Sequence, residues 1–122
     1  MQLDREPSAS VFVRSFRPGH LSLADREITS AVILTPTAVI TSWSPPAVAL
    51  LSIDDFALVL EHEPQLLLLG TGTQQKFPSP HVGVQIMRAG IGFEVMDTRA
   101  ACRTFNVLAG EGRSVMAALL LD

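Results

Sequence analysis

Three arginines, a cysteine and an asparagine crowd the stretch FEVMDTRAACRTFNVLAGEGR, which runs from Phe93 to Arg113. Its pattern predicts a short strand, a cap at Asp97 or Thr98, and a helix from Thr98 to about Ala109, closed by Gly110 and Gly112. Advancing about 100° per residue from Thr98 puts Ala101, Cys102, Phe105, Leu108 and Ala109 on one side. Arg99, Arg103 and Asn106 gather on another, in a sector about 60° wide. Arg99 and Arg103 are i,i+4 neighbours, close enough to share one anion. The free N–H groups and positive dipole end of the helix start would add to such a site. The competing expectation is that both arginines pair with near acids, namely Glu94, Asp97 or Glu111. Cys102 falls with the apolar group, where a thiol acts as a small hydrophobe. A nucleophilic role would need a thiolate, which the helix start and Arg103 would favour. No histidine lies within ten residues of it to serve as a base.

A second candidate is LLLLGTG, a leucine run entering the turn Gly70-Thr71-Gly72. In dinucleotide-binding folds such glycines let backbone approach a pyrophosphate at a helix start. Here the third glycine position is Gln75, and the next helix begins only near Pro80. The simpler reading is a sharp exit from a sheet. His20, His62 and His81 stand far apart, none in a ligand pair, so no metal site is expected. No G-x-S-x-G elbow appears, and no catalytic set is assigned. Trp43 precedes two prolines and reads as packing under the edge of the core.

These residues must be held by a modest frame. The chain has 122 residues, 48% apolar and 17% charged, which suits one globular domain. The net charge is −3, with Lys76 the single lysine among scattered arginines. That balance argues against a grip on nucleic acid. One cysteine cannot form an internal disulfide, and the polar start MQLDREPSAS has no signal or transit pattern. The apolar region Ala31–Leu60 is broken by Pro36, Pro45, Pro46, Asp54 and Asp55, so no membrane-spanning helix is expected. A cytoplasmic, soluble protein follows as the expectation.

Residues 1–10 read as a loose arm and residues 11–122 as a single α/β domain. VFVRSF and HLSL, joined at Arg17-Pro18-Gly19, predict an N-terminal β-hairpin whose loop runs on through Glu27. Ser30–Thr35 and Ala38–Trp43 read as strands in the sheet centre, covered on both faces. LSIDDFALVLEHEP predicts a helix with Ser52 and Asp55 as a capping box, an inward stripe of Phe56, Val59 and Leu60, and a stop at Pro64. SPHVGVQIMRAG predicts a second, with Ser79 as cap, Pro80 at the first position, an inward Val82-Ile86-Ala89 stripe and Gly90 as stop. QLLLL, GFEVMD and RSVMAALLL complete a mixed β-sheet with about three helices in a compact three-layer domain.

The segment GIGFEVMDTRAACRTFNVLAGEGR, supported by LLLLGTG, resembles domain-of-unknown-function family 498. Its eukaryotic members include assembly factor 3 of the mitochondrial NADH:ubiquinone oxidoreductase complex and an adipogenesis-associated protein. The resemblance spans the chain from about Val11. Gly70 and Gly72 match the family's glycine turn. Met96, Asp97, Thr98, Arg99, Ala101, Cys102, Thr104, Asn106, Glu111 and Arg113 match its signature, while Phe105 stands where a tyrosine is common. The resemblance implies a compact three-layer domain with no catalytic set, and a non-enzymatic role with a protein partner.

Two functions are therefore carried forward. One is a soluble binding module acting through a protein partner in assembly of a respiratory or membrane complex. The other is a small-anion or nucleotide-binding protein, or an enzyme, with a pocket between the Gly70–Gly72 turn and the Asp97–Arg103 helix start. The binding residues in either case would be Gly70, Gly72, Asp97, Thr98, Arg99, Arg103 and Asn106. No cofactor is expected, and self-association through an apolar edge such as VFVRSF stays open.

Overall fold

The computed structural model describes residues 10–122. The expected loose arm, residues 1–10, lies almost wholly outside the described residues; Ser10 is exposed and its N–H donates to the Pro36 carbonyl at 2.8 Å.

A five-stranded mixed sheet forms the middle layer. Its strands are β4 (Val32–Leu34), β5 (Val39–Ile40), β6 (Leu66–Thr71), β7 (Gly92–Met96) and β8 (Val115–Leu120), in the order β5-β4-β8-β6-β7. β6 runs parallel to β7 and β8, while β4 is antiparallel to β5 and β8. The central strands are apolar on both faces because both are covered. Leu68, Ala117 and Leu119 face one core, and Leu67, Leu69, Met116 and Ala118 face the other. Successive side chains on a strand point to opposite faces, so one leucine run serves two cores.

The first core lies under α3 (Thr98–Gly110) and a small antiparallel sheet of β1 (Val13–Arg17), β2 (His20–Leu23) and β3 (Glu27–Ile28). Ala101, Cys102, Phe105 and Ala109 are the buried stripe of α3, as its periodicity predicts. The second core lies under α1 (Ala57–His62) and α2 (Pro80–Arg88), with 3₁₀ turns at Val48–Leu50 and Ile53–Phe56. The architecture is thus the expected three-layer α/β fold with three helices and an N-terminal hairpin.

Several local expectations are corrected. The hairpin gains a third strand, because Glu27 and Ile28 pair with Ser22 and Leu21 instead of lying in a loop. This makes a separate sheet. Val39–Ile40 is a half-buried edge strand, since Pro36 and the following turn leave β5 room to pair only with β4. Ile53–Phe56 is a 3₁₀ turn, and α1 proper begins at Ala57. The Asp55 carboxylate still reaches back to accept the Ser52 N–H at 2.8 Å. Ala89 is exposed, because α2 ends at Arg88 and the chain turns at Gly90 with φ +84°.

Trp43 is buried, stacks obliquely on Phe56 at 6.1 Å, and donates its indole N–H to the Asp55 carbonyl at 2.7 Å. It therefore packs under the core edge, with its one polar atom satisfied.

Candidate functional site

The Gly70–Gly72 turn and the start of α3 meet at the C-terminal ends of β6, β7 and β8. Their meeting point is a packed junction. Thr98 is fully buried, and its backbone N–H donates to the Gly72 carbonyl at 2.8 Å. Its hydroxyl accepts the Gly72 N–H at 2.8 Å and donates to the Leu120 carbonyl at 2.6 Å. One side chain thus ties the ends of β6 and β8 to the first turn of α3. Gly70 is required for close approach. A Cβ there would lie 2.8 Å from Leu119 Cδ2, 2.9 Å from Thr98 Oγ1 and 3.1 Å from Thr98 Cα. Gly72 adopts φ +98°, and a Cβ on it would collide with the Asp122 carbonyl oxygen.

Asp97 caps α3, its Oδ1 accepting the Ala100 N–H at 2.9 Å. Asn106 is drawn away from the arginine row. Its Oδ1 accepts the Val13 N–H at 2.9 Å, and its Nδ2 donates to the Val13 carbonyl at 2.8 Å. It clips α3 to β1 beside the bulge where the β1–β2 register shifts. The reading that grouped Asn106 with Arg99 and Arg103 could not see Val13, which is distant in sequence.

Arg99 and Arg103 are both exposed. Among the described residues, neither has a carboxylate within ion-pair distance; the pairs formed are Arg17–Glu27, His20–Glu27 and Arg26–Asp25. The expected pairing with Glu94, Asp97 or Glu111 is therefore not made. The Arg99 guanidinium instead sits over the Phe16 ring, 5.6 Å from its centroid. Phe16 is the residue that the sequence alone did not connect with this row, because only the packing of the small sheet beside α3 brings it there. Val107 continues the exposed row at the next i,i+4 step and is 58% exposed. Phe12 is 53% exposed, next in the chain to the Val13 that Asn106 holds.

Cys102 is buried, and that burial pushes its thiol up to about 12; Arg99 and Arg103 oppose the shift and Asp97 adds to it. The thiol is held as a neutral core group, not an activated nucleophile. Among the described residues, no group of His, Cys, Asp or Glu could hold a metal ion.

Three surface clefts stand out, one of which shares Leu120 and Asp122 with this junction. One of about 380 Å³ opens between the β4–β5 turn, the end of α1 and the start of β8. A second of about 340 Å³ lies between Pro45-Pro46 and Leu120–Asp122, and a third of about 190 Å³ between Phe12, Leu23 and Val39.

Comparison with known proteins places these features in a lineage. The chain is 30% identical to the zebrafish (Danio rerio) NADH dehydrogenase [ubiquinone] 1 alpha subcomplex assembly factor 3, over 97% of this chain and 68% of that protein. It spans about two thirds of the length of the mammalian assembly factors of that name, 65% for the Bos taurus protein. It is also 30% identical to a 13 kDa major membrane protein of Francisella tularensis, covering 88% of each. A Xanthomonas campestris protein solved by NMR superposes with a TM-score of 0.84 at 34% identity, over 97% of this chain and 89% of that one. No helix among the described residues is long and apolar enough to cross a membrane. The family model described as protein of unknown function (DUF498/DUF598) matches residues 13–120, and the chain belongs to that family.

Proposed function

We propose that this protein is a non-enzymatic binding module that acts in the assembly of a membrane-associated complex, through a protein partner with an acidic surface. The observation that carries the reading is the exposed Arg99-Arg103-Val107 row on α3, whose guanidiniums lack carboxylate partners among the described residues. Arginine and aromatic or aliphatic anchors are the residue types that dominate interface energetics. Packing of Phe16 under Arg99 holds that guanidinium in place before any partner arrives, which lowers the entropy cost of using it. The neutral, buried Cys102 fits a role without chemistry. Kinship adds the direction, since the relatives named above include assembly factors and a membrane protein. On this reading the protein acts in the cytoplasm.

The test is co-purification of the full chain from its native cell. A stoichiometric partner from a membrane complex under construction is expected. Combined Arg99→Glu and Arg103→Glu should weaken capture by about 30-fold or more, the scale of a two-residue hot spot. Both side chains are exposed, so the melting temperature should hold. Retained capture by the double variant would overturn the reading.

The same unpaired arginines support the second reading, a small anion held at the start of α3. Such an anion would sit on the outer face, because Thr98 and Leu119 fill the space beside Gly70. A thermal-stability panel of phosphates, carboxylates and nucleotides separates the two: a shift abolished by Arg99→Ala and Arg103→Ala favours the anion.

A further inference from the structure

We propose that the cleft between the β4–β5 turn, the end of α1 and the start of β8 binds a small organic carboxylate with a compact apolar body. The site lies away from the α3 arginine row and does not depend on it. Its volume, about 380 Å³, falls within the range of small-molecule sites, about 300–1,000 Å³.

The lining has two chemistries. Pro64, Ala109, Val115 and Met116 line the cleft and are buried, so part of its wall is apolar. Around it stand the hydroxyls of Thr35, Thr37 and Ser114, with His62 and Arg113. No Asp or Glu lines the cleft. Arg113 is exposed, and among the described residues no carboxylate lies within ion-pair distance of it. A guanidinium beside an apolar wall fits a carboxylate attached to a hydrophobic body, because the fork of donors matches the two oxygens. His62 Nδ1 lies 2.8 Å from the Leu58 carbonyl and so carries the ring proton there, and Nε2 donates to a carboxylate only when the ring holds both protons. Thr35 Oγ1 accepts the Thr37 N–H at 3.2 Å, which leaves its own proton free to donate.

The end of α3 also borders the cleft, and bare helix-end carbonyls there would repel an anion. Two of these are covered: the Leu108 carbonyl accepts from both the Glu111 and Arg113 N–H groups, and the Ala109 carbonyl from the Gly112 N–H.

The backbone at the rim is set by the end of α1, whose C-cap Glu63 is left-handed, a common way for a helix to stop. Glu63 has φ +49° and ψ +55°, the one non-glycine with positive φ among the described residues. It precedes a proline, where steric freedom is already reduced. Such a conformation costs about 1–2 kcal/mol and persists where surroundings impose it. Here it separates His62 from Pro64, and both line the cleft.

The experiment is an NMR titration of the ¹⁵N-labelled full chain with benzoate, hexanoate, acetate, benzamide and inorganic phosphate. Benzoate or hexanoate should give saturable shifts centred on the amides of Thr37, Ser114 and Val115. Acetate lacks the body and benzamide lacks the charge, so each should bind about tenfold more weakly or worse. Arg113→Gln should lose about tenfold and His62→Gln about threefold, with the rest of the spectrum unchanged, because both side chains are exposed. Shifts that fail to saturate, that map elsewhere, or that survive Arg113→Gln would overturn the proposal. Equal affinity for benzamide or for phosphate would do so too. A short apolar peptide with a free C-terminus that binds more tightly than either acid would assign the site to a chain end instead.

Discussion

Cys102 shows how far one position decides against chemistry. The thiol ionises near 9.0 in the unfolded chain, and burial pushes it up to about 12 in the folded one. The folded state therefore favours the neutral form. That contribution is complete below pH 9 and is lost as the pH rises toward 12, at up to about 1.4 kcal/mol per pH unit. Urea titrations at pH 8, 9.5 and 10.5 should show this loss, and Cys102→Ala should flatten it. Native Cys102 should also resist a thiol reagent at pH 8 until the protein is unfolded. Thr98 is a position of another kind, because its hydroxyl satisfies two backbone groups at once. Thr98→Val keeps the shape and strands a buried N–H and a carbonyl, at a cost of about 2–4 kcal/mol by urea denaturation. Thr98→Ser keeps both bonds and should cost under about 1.5 kcal/mol. That Thr98 would be a clip could not be read from its place in the sequence. The capping pattern left Asp97 and Thr98 as equal candidates, and the choice turned on how close Gly70 lets the helix come.

At the scale of elements, α3 was the most legible. Its buried stripe follows from spacing, and the structure places it as spacing predicts; the cap falls to Asp97 of the two candidates, and the helix runs through Gly110 before the chain turns at Gly112. Its outer face was half legible. The wheel grouped Asn106 with Arg99 and Arg103, yet Asn106 is committed to the backbone of β1. Helical periodicity reports angle only; it holds no information about a strand contributed from the far end of the chain. The same limit hid the 380 Å³ cleft, whose walls come from three separate stretches that the pairing of β8 with both β4 and β6 unites. Asn106→Ala tests how much the clip matters. It removes both bonds to Val13, which is partly buried at this contact, and should cost about 1–3 kcal/mol. Hydrogen exchange should locate the loss, with β1 and β2 opening before the five-stranded sheet does.

For the molecule as a whole, the hydrophobic pattern gave the layers and the N-terminal hairpin. It did not say whether that hairpin joins the mixed sheet or stands apart; with β3 it forms its own sheet, set beside α3 over the first core. Strand composition cannot distinguish these outcomes, since an apolar strand of either sheet faces the same core. The larger sheet has a further property in its order β5-β4-β8-β6-β7. Its middle member is the last strand in sequence. Without Val115–Leu120 in place, β4 and β6 would each present an unpaired inner edge, so the union of the two halves into one closed sheet waits on that single strand.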